Sequence, residues 1–91
     1  MDKIKRALRS PVKKKIIVFF HENPQAVDSV RGISTWINIK PNIVKKALEG
    51  LVREGILVAH RGSTTTGYAY TQDRDMVSRI ESYLYGKSDS V

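Results

Sequence analysis

The sequence contains no cysteine, which removes disulfide cross-links and the thiolate zinc sites that hold many small nucleic-acid modules together. Any fold must therefore rest on packing of its own core. Long apolar runs are also missing. The longest, Ile16 to Phe20, spans five residues, whereas a membrane-crossing helix needs about 20 and the apolar centre of a signal peptide about 7 to 15. No membrane partner is expected, and the expected location is cytoplasmic. Histidine is confined to His21 and His60, in separate predicted elements, so neither a two-histidine metal site nor a histidine acid–base pair has support. A glycine-rich phosphate loop and a nucleophile elbow are absent too. No enzyme activity, cofactor or metal is expected.

What remains is a short basic chain. Ninety-one residues suit one domain with one core, and 41% hydrophobic with 27% charged residues is an ordinary globular balance. The net charge of +7 is unevenly spread: residues 1–72 carry 13 Lys or Arg against 5 Asp or Glu, a net +8, whereas residues 73–91 carry 3 against 4, a net −1. A basic field of this kind favours a polyanion, because each neutralised phosphate releases condensed counterions. Charge alone suits DNA, RNA or an anionic membrane surface.

Punctuation and periodicity divide the chain. Residues 1–9 are a basic arm or short helix, with Ile4, Ala7 and Leu8 at helical spacing among cations. Ser10-Pro11 starts a helix that runs to about Glu22 with Val12, Ile16, Phe19 and Phe20 as its apolar stripe, and Asn23-Pro24 ends it. A short extended piece at Ala26 and Val27 leads to Asp28 or Ser29, either able to cap a second helix carrying Val30, Ile33 and Ile37. Trp36 runs alongside that stripe and is expected in the core rather than as a stacking platform. Asn38 tolerates the left-handed backbone that a sharp turn needs. Lys40-Pro41 opens a third helix to Glu54, with Val44, Ala47, Leu48, Leu51 and Val52 on one face, Asn42, Lys46, Glu49 and Arg53 on the other, and Gly55 as its stop. Ile56 to Ala59, a polar loop, and Tyr68 to Thr71 read as a hairpin. Asp73 caps a last helix to Tyr85, with Met76, Val77, Ile80, Tyr83 and Leu84 as its stripe. Residues 87–91 are expected to be a disordered tail.

This order of elements, from about Ser10 to Tyr85, resembles the winged helix-turn-helix family. The resemblance is most specific from Ile37 to Leu57, where Ile37-Asn38-Ile39 is similar to the family's apolar-glycine-apolar turn and Val44, Leu48, Leu51, Gly55 and Ile56-Leu57 follow its recognition-helix and strand pattern. It departs in carrying Asn38 in place of glycine and Lys40-Pro41-Asn42-Ile43 in place of small hydroxyl residues, which leaves the base preference open. The fold class implied is mainly α with a small β-hairpin, a three-helix core plus wing and C-terminal helix. Residues 10–72 would form the DNA-binding unit and residues 73–86 a C-terminal dimerisation helix. The resemblance implies that helix 41–54 enters the major groove of double-stranded DNA while wing 57–71 grips backbone or minor groove.

The candidate contacts follow. Lys40, Asn42, Lys45 and Lys46 lie near the start of the recognition helix, where asparagine can pair with adenine and lysines reach phosphates or guanine. Arg61, Ser63, Thr64 and Thr65 supply a cation and hydroxyls at the wing. Ile43 is expected as a partly buried shoulder, the alternative being an apolar contact to a thymine methyl. Lys13, Lys14 and Lys15 are further candidates for flanking phosphates; Glu49 could accept from cytosine or face Lys45 one turn away and support its helix, and is left out of the site. The predicted regulator is a homodimer through the C-terminal helix. A rival is a winged-helix module that binds protein in a larger complex. Another is an RNA or single-strand binder, which would stack bases on Tyr68 and Tyr70; cross-strand packing onto the core explains these two rings equally well.

Overall fold

Helix starts in this chain are fixed by local chemistry, and a computed structural model, which describes residues 2–86, places them where caps and prolines occur. The tail at 87–91 lies outside the described residues. Helix α1 (Lys3–Leu8) is capped by Asp2, whose carboxylate accepts from the Ile4 N–H. The N-terminal segment is therefore a short helix, and burial of Ile4 and Ala7 holds it to the domain. Helix α2 (Pro11–Glu22) has Ser10 as its cap and proline in its first turn. After strand β1 (Val27–Asp28), Ser29 rather than Asp28 caps helix α3 (Val30–Ile37), accepting from the Gly32 N–H at 3.1 Å. Asp28 instead lays its carboxylate over that turn, where a Cβ on Gly32 would stand 2.0 Å from its Oδ1. Only glycine leaves that space.

Asn38 ends α3 in the left-handed conformation, φ 59° and ψ 48°, and the Ser34 hydroxyl donates to the Ile39 carbonyl across the turn. Helix α4 (Pro41–Arg53) follows, and Gly55 at φ 78° releases the chain into the sheet. Strands β2 (Leu57–Arg61) and β3 (Thr66–Tyr70) form the antiparallel hairpin, and β1 pairs on the other side of β3, giving the order β1-β3-β2. Helix α5 (Arg74–Tyr85) is capped by Asp73. No helix among the described residues is long and apolar enough to cross a membrane.

The core joins Ile16, Ile17 and Phe20 of α2 to Ile33 of α3, Val44, Leu48 and Leu51 of α4, and Tyr68 and Tyr70 of β3. Trp36 is a correction to the sequence reading. It is 71% exposed, because Ile33 and Ile37 set the inward direction of α3 and position 36 lies about 80° round from the middle of that stripe. Lys13 turns inward as well: it pairs with Glu54 at 2.9 Å, each side chain about one-fifth exposed, so it ties α2 to the end of α4 and its charge is spent on that carboxylate.

Helix α5 is held to its own domain. Ile80 is fully buried, and Met76, Val77 and Leu84 pack partly against the core. Only Tyr83 and Tyr85, 43% and 59% exposed, leave large apolar surface free on it. Of the stripe Met76, Val77, Ile80, Tyr83 and Leu84, most is thus covered within the domain. His21 braces the same helix, its Nδ1 2.9 Å from the Tyr70 hydroxyl and its Nε2 2.5 Å from Glu81. Burial, with Glu81 nearby, pushes the Tyr70 phenol well above its usual range. The Tyr70 O–H therefore keeps its proton and can donate to Nδ1, leaving an Nε2–H for the carboxylate.

Asp2 reaches across to α5, accepting from the Tyr83 hydroxyl and from Arg79 at 3.4 Å. The Tyr83 bond holds the Asp2 carboxyl below its ordinary 3.8, and the same bond raises the Tyr83 phenol above its ordinary 10.0. A lowered carboxylate contributes above its unfolded value and is lost as pH falls through the folded one; a raised phenol is lost as pH climbs through its folded value. The α1–α5 tie should therefore hold between about pH 4 and pH 10 and loosen beyond both ends. Amide exchange of α1 followed against pH checks this, and Tyr83→Phe should flatten the profile.

Candidate nucleic-acid interface

Helix α4 has a buried face and a wet face because its apolar residues recur at helical spacing. Val44, Leu48 and Leu51 are fully buried, so Asn42, Lys46 and Arg53 on the opposite side are left in solvent. Proline at its first position has no N–H to satisfy, Lys40 at its cap position makes no side-chain cap, and the Ile43 and Val44 N–H groups donate to the Lys40 carbonyl, so of the first turn the Asn42 N–H is left to an outside acceptor. At about 1.5 Å per residue, this helix is long enough to lie along a DNA groove, and a helix fits the major groove's width of about 12 Å.

The wing is short and tightly closed. Arg61 pairs with Thr66 at the end of the ladder, and the Gly62 N–H donates to the Thr65 carbonyl at 2.8 Å. That leaves Ser63, Thr64 and Thr65 exposed at the tip, their hydroxyls making no hydrogen bond among the described residues. Inward alternation on β3 buries Tyr68 and Tyr70 to 2% and 1% exposure. Neither ring presents a face to a base, which removes the stacking route on which the single-strand reading depended.

Between the start of α3, the first half of α4 and the wing lies a cleft of about 700 Å³. Of the residues expected from sequence, Asn42, Lys45, Arg61, Thr64 and Thr65 line it together. Lys46 opens onto an adjoining depression shared with Asn42, Ile43, Lys45 and Glu49. Lys40 and Ser63 are exposed beside the cleft without lining it. Ile43 is 44% exposed, a half-covered shoulder next to Asn42.

Four residues that line this cleft were not among the contacts expected from sequence. Arg31, on the first turn of α3, stands on its wall, as do Ser29 and Thr66. Glu49 lines it as well, the single carboxylate among the lining residues, against the cations Arg31, Lys45 and Arg61. The signal for Arg31 was weak: it is an exposed cation one place after Val30 in a short helix, and only the crossing of α3 over α4 brings it to the cleft. The arrangement is a concave surface with cations on its walls and hydroxyl and amide donors between them. Such a surface offers donors to phosphate oxygens and to base edges.

No protein-family model matches the sequence, and no curated protein matches it significantly. Solved structures do match in shape. HlyU from Vibrio cholerae N16961 superimposes with a TM-score of 0.72 at 18% identity, over 91% of this chain and 88% of that one. A possible transcriptional regulatory protein from Mycobacterium bovis gives 0.71 at 20% identity, over 90% and 83%. A solution structure from the same organism, described as a homodimeric winged helix-turn-helix DNA-binding domain and a possible ArsR-family transcriptional regulator, gives 0.67 at 20% identity, over 90% and 71%. The fold of this chain is the winged helix-turn-helix, with α3 and α4 as the helix-turn-helix and β2–β3 as the wing.

Proposed function

We propose that the chain binds double-stranded DNA as a transcriptional regulator, with α4 in the major groove and the wing on the adjacent backbone or minor groove. The observation that carries this reading is the cleft itself, which gathers Asn42, Lys45, Arg61, Thr64 and Thr65 with Arg31 onto one concave face. Asn42 reads a base, by the amide's two-pronged match to adenine. Lys40, Lys45, Lys46, Arg31 and Arg61 neutralise phosphates, and Ser63, Thr64 and Thr65 add neutral donors. The rival reading, a protein-binding wing domain, would need an apolar α4 face, and this one carries Asn42, Lys45 and Lys46. No catalytic step is assigned to it.

The test is selection of bound sequences from random duplex DNA at physiological salt. An enriched motif is expected, and Asn42→Ala should lose on the order of 1–3 kcal/mol of discrimination at one base pair while other positions keep theirs. A selection without enrichment would exclude a sequence-reading regulator.

The functional unit in this proposal is a homodimer joined through α5 with α1 beside it. Support comes from the free faces of Tyr83 and Tyr85, from the near-neutral charge of residues 73–91, and from the homodimeric description of a similar domain. Twofold symmetry then places two half-sites about 34 Å apart. Sedimentation at micromolar concentration should give a dimer that Tyr85→Ser weakens without unfolding. Ile80 is unsuitable for this purpose, since it is fully buried within its own subunit. A monomer both free and on DNA would end the dimer model.

A further inference from the structure

Away from the cleft, α2 and the end of α3 enclose a second groove of about 600 Å³. Its floor is apolar, made by Val18, Phe19, Trp36 and Ile37, with the Phe19 and Trp36 ring centroids 5.9 Å apart. Lys14 and Lys15 stand on its rim, exposed and engaged in no ion pair among the described residues, and Glu22 closes the far end. A tryptophan 71% exposed beside a second aromatic is costly surface for the monomer to keep, and the core does not need it.

We propose that this groove is a docking site for an acidic amphipathic helical segment of another protein. An apolar pair on such a helix, three or four residues apart, would seat on Phe19 and Trp36 while its carboxylates meet Lys14 and Lys15. Glu22 sets the orientation by disfavouring acidic residues at the opposite end. Charge chooses this occupant over a second copy seated here by twofold symmetry, since that would bring two sets of Lys14 and Lys15 together at the rim. It also chooses it over DNA, because an apolar floor offers phosphate nothing. The groove is compatible with an occupied cleft: Trp36 follows Arg31 by five residues, which turns it about 140° round α3 from the cleft wall. A protein bound here would sit on the regulator while the cleft remains open.

Trp36 is the only tryptophan, so its emission reports on this site alone. Short helical peptides displayed as a library are selected on the full chain, and the enriched ones are synthesised. They should carry net negative charge and an apolar pair at i, i+3 or i+4, and should shift Trp36 emission to the blue. Affinity should drop at least about tenfold, the size expected of a central contact, in Lys14→Glu with Lys15→Glu and also in Trp36→Ala. It should be unchanged in Lys45→Glu with Arg61→Glu, and thermal melts should show all variants folded. The proposal is overturned by an absence of enrichment, by enriched peptides without acidic bias, or by affinity that follows Lys45 and Arg61. It is equally overturned if the blue shift comes from concentrating the protein alone, from duplex DNA or from anionic vesicles.

Discussion

Reversing Lys45 and Arg61 together to glutamate should reduce affinity for duplex DNA by at least about 100-fold at low salt, the largest loss expected from any pair of surface changes. The two residues stand on different walls of one cleft, Lys45 on α4 and Arg61 at the base of the wing tip. A duplex seated there meets both. A charge-assisted hydrogen bond contributes roughly 1.5–3 kcal/mol, so losing two approaches 3–6 kcal/mol, and the new carboxylates add repulsion from phosphate. Neutral replacement gives the finer readout. In Lys45→Ala or Arg61→Ala the logarithmic salt slope should fall by about 0.9 for each phosphate contact removed, with base preference intact, in contrast to Asn42→Ala. Fold should be preserved, since both side chains are exposed. Titrations at several salt concentrations give affinity and slope together. Unaltered affinity in the double reversal, with a flat salt dependence of the parent, would mean that the cleft does not hold DNA.

Phe20→Ala should cost about 3–5 kcal/mol of stability, whereas Trp36→Ala, which removes a larger side chain, should cost well under half of that. Phe20 is fully buried, with its ring 5.0 Å from Phe19 edge-on and 6.4 Å from Tyr70 in a stack. Its loss opens a cavity where α2 meets β3, and the surrounding rings cannot close it without moving the sheet. A domain of this length has about 5–15 kcal/mol in total, so Phe20→Ala brings the chain near its unfolding limit at ordinary temperature. Trp36 lies outside the core, and its removal forfeits mainly one face of contact with Phe19. Urea unfolding of the two variants measures the difference directly. Equal losses would contradict the outward placement of Trp36, on which the groove between α2 and α3 depends.

The two variants mark where sequence reasoning succeeds and where it stops. Phe20 sits four residues after Ile16 on a long helix, so periodicity alone points it inward. Trp36 belongs to a helix of 8 residues, too short for its apolar positions to define a narrow stripe, and the ring's side was settled by where α2 crosses. Tyr68 and Tyr70 were equally undecided, because alternation says that two residues share a face and not which face is covered. Packing of β3 against α2 and α3 covered it.

By itself the sequence determined the helix ends and the polarity of α4. Ser10, Ser29 and Asp73 cap through their own side chains, Asn38 and Gly55 adopt positive φ, and the spacing of Val44, Leu48 and Leu51 turns Asn42 and Lys46 outward. These are interactions within a few residues, and a local pattern suffices to specify them. Only the tertiary structure decided which cations are free. Lys13 is spent on Glu54, 41 residues away, while Arg31 joins Lys45 and Arg61 at one cleft although the sequence places them on three separate elements. It also decided that His21 braces α5 through Glu81, 60 residues on, and that Asp2 reaches Tyr83, 81 residues on. The physical reason is common to all of these: a charge or an aromatic ring takes its role from its neighbours, and those neighbours are supplied by how helices and sheet pack.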